Sequence, residues 1–346
     1  MSIVKKMIEV PYPLNMAEKD RFRYEPYTGY ELLPQKIKYL RNVFVGNSGF
    51  CMNRRGLIKE CHHAYSWQYE YYQNEAAKYY YDVDDHPENL VTLDDDNTYL
   101  AIHHPWFNYY HWVCESLFRL WMVRDKLDRL VLLLPEHYRN ADFIMGSLEP
   151  FNIKRIYYIP NGKSVMVRNL CLPQIKPLCD SYNPLQLKQV RNFYWDFVHN
   201  IKNITTSLGD RIYVSRRMAP RRKVVNEDEI EPVLEKHGFK VFCPEQYNFQ
   251  EQVSIFSQVR FLAGEHGSGL TNLMFVNKDS SLLELHKDKS NDLDHPSPLF
   301  WYMARAIGVN YYHQLCDTQG VEDYFDGDYI VDPDLLDRNL ALMCGR

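Results

Sequence analysis

Two stretches of the chain carry residue types that can do chemistry. The first, Gly264-Glu265-His266-Gly267-Ser268-Gly269, follows an apolar run from Phe261 to Ala263 and precedes Leu270-Thr271-Asn272-Leu273-Met274-Phe275. The pattern predicts a short buried strand, a glycine turn and the opening of a helix. Such a turn makes an anion site: glycine permits positive φ and close backbone approach, and the N–H groups of the first helical turn point at a bound phosphate. The next apolar run, Ser281 to Leu285, carries Glu284, and a carboxylate at such a strand end can accept hydrogen bonds from ribose hydroxyls. The turn reads G-x-x-G-x-G. It is neither the dinucleotide fingerprint nor the phosphate loop G-x-x-x-x-G-K-[ST], and Ser268 lacks the flanking glycines of a nucleophile elbow. A purely structural turn fits the same residues.

The second stretch is the helix predicted over Asn108 to Leu127. At ~100° per residue, Tyr110, Val113, Cys114, Leu117, Leu120 and Trp121 share one arc that must be buried. Asn108, His111, Glu115 and Arg119 fall opposite, which puts an imidazole and a carboxylate one turn apart on one face. Either that face is an ordinary solvated one, or it is the place where a base acts.

Alternating strands and helices must position these groups. Leu100–His103, 129–134 and 155–159 read as strands, and 185–201 reads as an amphipathic helix. A second block opens with the strand Ile212-Tyr213-Val214, followed by a loop with five cations in eight residues, Arg216, Arg217, Arg221, Arg222 and Lys223. Asn226 with Glu229, and Asn248 with Glu251, resemble capping boxes before two helices. The block is therefore βαβαβ, with the basic loop after its first strand and the glycine turn after its third. Both loops leave carboxyl ends of strands, where ligands of open α/β sheets bind, and a basic loop beside a helix N-terminus suits a dianion such as pyrophosphate. A helix over 298–307, a last strand over 309–313 and a tail helix follow.

Composition bounds the rest. The 346 residues exceed one ordinary core, and 45% hydrophobic with 25% charged residues is a soluble globular balance. A net charge of −5 argues against a general nucleic-acid binder. No apolar stretch approaches the ~18 residues of a membrane span, and the N-terminus lacks the apolar centre of a leader, so a cytoplasmic protein is expected. The eight cysteines contain no C-x-x-C pair, which fits reduced thiols. His62-His63, His103-His104 and His111 lack zinc-motif spacing, so no metal is expected and core or surface histidines are the favoured account. Residues 1–95 read as irregular, aromatic and short-stranded, with a tyrosine-rich stretch from Tyr65 to Tyr81.

Taken together, Asn108-Tyr109-Tyr110-His111-Trp112, Tyr213-Val214-Ser215-Arg216-Arg217, Arg221-Arg222 with Asn226-Glu227, Phe249-Gln250-Glu251-Gln252 and Gly264 through Asn272 resemble the motif series of glycosyltransferase family 61. The resemblance covers residues 95–290. It implies a GT-B-like α/β fold of two Rossmann-like domains facing a cleft: 1–202 on the acceptor side (β-rich to 95, α/β from 96), 203–330 binding the nucleotide-sugar, and a tail 331–346 packing back on the first domain. It implies inverting transfer without metal or other cofactor, from a nucleotide-sugar to a glycan or lipid-linked oligosaccharide. Because the chain shows no signal-anchor, it suggests bacterial surface-polysaccharide assembly, in the cytoplasm or peripheral to its membrane. Glu115 is then the first choice of base and His111 the second, with Asn108 and Arg119 on the acceptor side. Arg216, Arg217 and Arg222, His266, and the backbone of Gly267, Ser268, Gly269 and Leu270 would hold the donor diphosphate, with Thr271 and Asn272 completing the turn and Glu284 on the ribose. Family members usually carry Asp where this chain has Glu115, and often Pro or Ala where it has Glu265 and Ser268. A non-catalytic nucleotide-sugar or glycan-binding protein, or an epimerase or hydrolase, are the alternatives.

Overall fold

The computed structural model describes residues 6–287, 295–319 and 326–345 of a mixed α/β chain that divides into two units. One runs from Leu33 to Ser181; the other joins residues up to Leu32 to those from Tyr182 onward. The division differs from the 202/203 boundary expected from sequence, for two physical reasons. Helix Pro184–Asp196 is tied to the later chain by Arg191 Nη1 donating to Val276 O (2.8 Å) and Trp195 Nε1 to Phe275 O (3.0 Å). The N-terminal segment is bound there too: Asn15 accepts the His313 N–H (3.0 Å), and Trp301 Nε1 donates to Pro11 O (2.8 Å).

Among the described residues, the Leu33–Ser181 unit has a seven-stranded sheet in the order 56–57, 51–53, 37–45, 164–173, 90–101, 130–135, 156–159. The last four strands are mutually parallel, and 37–45 runs antiparallel to 164–173. Leu130–Pro135 is buried along its whole length, as a parallel strand covered on both faces must be. The tyrosine-rich stretch is not irregular: Tyr69–Asp85 is a helix, anchored by Tyr72 and Ala76 one turn apart. The helix expected over 108–127 is interrupted. Tyr109–His111 is α-helical, Trp112–Ser116 is a π-helical turn, Leu117–Met122 is α-helical again, and Arg124–Arg129 is 3-10.

Among the described residues, the other unit has a two-stranded antiparallel pair, Lys6–Glu9 with Gly29–Leu32, and a six-stranded sheet in the order 240–242, 211–214, 261–265, 281–287, 310–319, 328–330, whose first five strands are parallel and last antiparallel. In chain order the parallel strands run 2-1-3-4-5. That order has a topological switch point between 211–214 and 261–265, where chain connections leave in opposite directions and open a crevice at the carboxyl ends. The basic loop and the glycine turn leave those two strands there. Asn248 and Glu251 form the expected capping box on Phe249–Phe256; Asn226 does not, since its Oδ1 accepts the Val331 N–H instead. The tail helix, Pro333–Met343, was expected on the N-terminal domain. It buries Leu336, Leu340 and Met343 beside Tyr213, Ala263 and Leu283, so its apolar stripe closes the core of its own unit. No helix among the described residues is long and apolar enough to cross a membrane.

Candidate active site

In the Leu33–Ser181 unit, three elements converge on Glu115. The 3-10 turn Lys59–Cys61 leads into His63, the end of strand Leu90–Ala101 leads into His103 and His104, and the helix supplies His111 and Glu115. The Glu115 side chain is fully buried. His63 Nε2 lies 2.7 Å from its Oε1, His111 Nδ1 lies 2.7 Å from Oε2, and His104 Nε2 sits 3.0 Å from Oε2, off the line of a good hydrogen bond. The π turn that carries Glu115 is a feature found often at functional sites.

Burial pushes the Glu115 carboxyl up, but His63, His111 and His104 outweigh it and hold the group well below its usual range. Burial, with His111 next to it, drives His104 down to about 3, so that ring is neutral. Its Nδ1 accepts the Trp106 peptide N–H at 2.8 Å, which places the ring proton on Nε2. His111 is the one imidazole of the three with an opening to solvent, its side chain 12% exposed against 0% and 4% for His63 and His104.

The other predicted acceptor-side residues take structural places. Asn108 caps the helix, its Oδ1 accepting the His111 N–H at 3.0 Å. Arg119 was expected on a polar face toward acceptor, but it is 1% exposed. Its guanidinium donates to Pro173 O (2.8 Å), Ile102 O (2.9 Å), His103 O (3.1 Å) and Ala101 O (3.0 Å), so it holds the chain leading to His104 and is closed to a ligand. Sequence reasoning missed His63 and His104 as site members. The signal was present as two His-His pairs, each just past the end of an element.

At the switch point of the other unit, the structure brings Arg216, Arg222, His266 and Gly267 together. None of Gly264, Gly267 and Gly269 lies in the left-handed region, Gly267 being extended at φ 165°, so space and not backbone freedom explains them. A Cβ at Gly264 would meet Val214 O at 3.0 Å, and one at Gly269 would meet Val214 Cγ1 at 2.8 Å, so both let the turn pack on the neighbouring strand. A Cβ at Gly267 would meet Arg216 Nη1 at 2.5 Å: here the guanidinium lies on the backbone of the turn. Arg216 is steadied by donating to Arg222 O (3.0 Å) and Arg221 O (3.2 Å). Ser268–Phe275 is 3-10 rather than α-helical, and the Leu270 N–H is spent on Gly267 O (3.0 Å).

His266 Nδ1 meets Glu284 Oε1 at 2.6 Å, and Tyr311 donates to Glu284 Oε2 at 2.7 Å. Burial, then the cations Arg222, Arg216 and Lys287, push His266 down to about 3, while burial pushes the Glu284 carboxyl up to about 7. Four donor-site expectations need correction. Glu284 is 0% exposed with both oxygens engaged, so it orients His266 and is closed to a ribose. Thr271 and Asn272 are buried under the turn, where Asn272 donates to Gln252 Oε1 (2.7 Å). Arg217 is turned onto Glu227 (3.0 Å) and Glu231 at the start of the next helix, which neutralises it.

Among the described residues, three sets bring possible metal-ligand atoms within 4.8 Å: His63, His104 and Glu115; His111, Glu115 and Cys179; and His266, Glu284 and His286. In the first, His104 Nδ1 already accepts a peptide N–H; a neutral imidazole ligating through Nε2 needs its proton on Nδ1. In the third, His286 Nε2 accepts the Ser297 N–H (3.2 Å), with its own Nδ1 on Lys287 O (2.9 Å). These bonds suit proton donors and acceptors better than metal ligands.

Residues 109–283, just over half of the chain, match the family described as Glycosyltransferase 61, a span that holds His111, Glu115, both arginines and the glycine turn. The chain belongs to that family. It is similar to the EGF domain-specific O-linked N-acetylglucosamine transferase of Drosophila melanogaster, with 32% identity over 102 residues. The match covers 29% of this chain and 18% of the fly protein.

Proposed function

We propose that the protein transfers a sugar from a nucleotide-sugar to a glycan hydroxyl with inversion and without a metal, the Leu33–Ser181 unit acting as the acceptor half and the other as the donor half of a GT-B architecture. The observation that carries this reading is the His111–Glu115 pair. The buried carboxylate engages His111 Nδ1, which leaves Nε2 as the ring nitrogen that can take a proton, on a side chain that keeps a 12% opening to solvent. Between the two bases expected from sequence, this favours His111 as the base and Glu115 as the group that orients it, since Glu115 is closed to solvent and a poor proton acceptor.

In the step proposed, His111 Nε2 takes the proton of the acceptor hydroxyl as its oxygen attacks the anomeric carbon. The bond from that carbon to the phosphate oxygen breaks, and its electron pair leaves with the nucleoside diphosphate. Arg216 and Arg222 offset the developing charge, with the N–H groups at the start of the 3-10 turn. Neutral His266, with Nδ1–H on Glu284, offers Nε2 as an acceptor to a sugar hydroxyl. The resemblance points to a surface-polysaccharide glycan as the acceptor.

The test is transfer by the purified protein with a panel of nucleotide-sugars and glycan acceptors in EDTA. His111→Gln should lower kcat by roughly 10²–10⁴-fold with little change in nucleotide affinity, and the product anomer, read by NMR, should be inverted relative to the donor. Full activity in His111→Gln, a retained anomer or loss of activity in EDTA would each refute the corresponding part.

A further inference from the structure

Three imidazoles on one buried carboxylate is more than a base and its orienting partner require. A carboxylate offers about four lone-pair sites. His63 Nε2, 2.7 Å away, takes Oε1, and His111 Nδ1, also at 2.7 Å, takes Oε2. His104 cannot offer a lone pair to that carboxylate, because its Nδ1 lone pair is used by the Trp106 N–H and its proton sits on Nε2. Its ring also stacks on His111, with centroids 4.4 Å apart and planes 11° apart, which restricts tilting of the base.

We propose that His63 and His104 are positioning residues: His63 by donating its N–H to Glu115 Oε1, and His104 by setting its Nε2–H beside Oε2 and clamping the ring face of His111, keep residue 115 ionised and the His111 proton on Nδ1, leaving Nε2 as the acceptor. The inference rests on His111 being the base. Arg119, Cys114, Cys179, Tyr65, Tyr72 and Lys176 complete the titratable groups around the pair. Arg119 donates to main-chain carbonyls and Lys176 to the Tyr110 hydroxyl (3.2 Å), whereas the three imidazoles lie 2.7, 2.7 and 3.0 Å from the Glu115 oxygens and are the direct levers on its charge.

Removing His63 takes the donor from Oε1 and leaves that buried oxygen unsatisfied. With one donor fewer the buried carboxylate takes up a proton more readily, and the protonated carboxyl donates to His111 Nδ1, which moves the ring proton to Nε2 and removes the lone pair the base needs. In His63→Leu the acidic limb of the kcat profile should therefore move to higher pH by about one unit, with the KM for the donor unchanged. His63→Gln, whose amide can return an N–H to Oε1, should restore the parent profile and guards against a variant that fails to fold. A merely structural histidine would lower kcat evenly across pH.

The deciding measurement needs no substrate. Long-range ¹⁵N spectra of the full chain, labelled at histidine, report which ring nitrogen carries the proton. The parent should show His111 as the Nδ1–H and His104 as the Nε2–H tautomer. His63→Leu should give a mixed His111 tautomer, and His63→Gln should return it to Nδ1–H. An unchanged His111 tautomer in folded His63→Leu, with a pH profile of unchanged shape, overturns the proposal. A tautomer lock that behaves as stated while His111→Gln retains full transfer would sink the base assignment alone.

Discussion

Arg119→Met separates a structural arginine from a ligand-binding one. The parent guanidinium is buried and donates four hydrogen bonds, all to main-chain carbonyls: Ala101, Ile102, His103 and Pro173. Methionine fills much of the same volume and returns none of them. Each buried acceptor that loses its donor costs about 1–3 kcal/mol, partly offset because an expensive buried cation also disappears. The balance is a loss of roughly 3–5 kcal/mol, a large share of the ~5–15 kcal/mol that holds a domain together. With a urea m-value of about 2 kcal/mol/M, the midpoint of the unit should fall by roughly 2 M. Transfer should fall as well, since the carbonyls of Ile102 and His103 set the path of the chain into His104. A variant within ~1 kcal/mol of the parent but with a raised KM for acceptor would refute this account and return Arg119 to the acceptor side.

Other outcomes follow from the same geometry. Gly267→Ala drives a Cβ to 2.5 Å from Arg216 Nη1 and should weaken nucleoside diphosphate binding ~10-fold or more at near-parental stability; Gly269→Ala meets Val214 Cγ1 at 2.8 Å and should instead lower the melting temperature. Burial raises the Glu265 carboxyl to about 8, and Glu284 to about 7, so the folded chain binds these protons more tightly than the unfolded one. Their stabilisation is full below the unfolded value near pH ~4.3 and is lost as pH rises through 7 and 8. Urea melts at pH 5 and pH 8.5 should show that decline, with a smaller one in Glu265→Gln; equal declines would contradict the assignment. Asn248→Ala removes the capping box of Phe249–Phe256 and should cost about 1 kcal/mol in the same assay.

What the sequence conveyed about these sites was local. A wheel drawn at a uniform pitch placed His111 and Glu115 on one face, and their contact across one turn is real. It could not show that the face is buried, because the groups that satisfy Glu115 come from His63 and His104, on separate elements. Nor could it show the π turn at Trp112–Ser116, which widens the helix where the carboxylate sits. The strand–loop alternation of the later unit was legible from apolar runs and turns, including the two loops at carboxyl ends. Strand order was not, because it depends on which strands pair. The glycines were visible, but their reason was not: Val214 and Arg216, against which all three of them pack, lie some fifty residues earlier. Residues up to Leu32 belong with the later unit through contacts such as Asn15 with His313 and Asn339, a separation of about three hundred residues that no local pattern encodes.

The transfer proposed above needs a metal-free nucleoside diphosphate site at the switch point, built on Arg216. Isothermal titration of UDP, GDP, dTDP and CMP and their sugars into the parent and Arg216→Ala, in EDTA throughout, tests it most directly. One nucleotide class should bind the parent without added metal. The variant should bind it more weakly by about 1.5–3 kcal/mol, or roughly 10- to 150-fold. Equal affinity in the two proteins, or binding by the parent only after a divalent cation is restored, would contradict it.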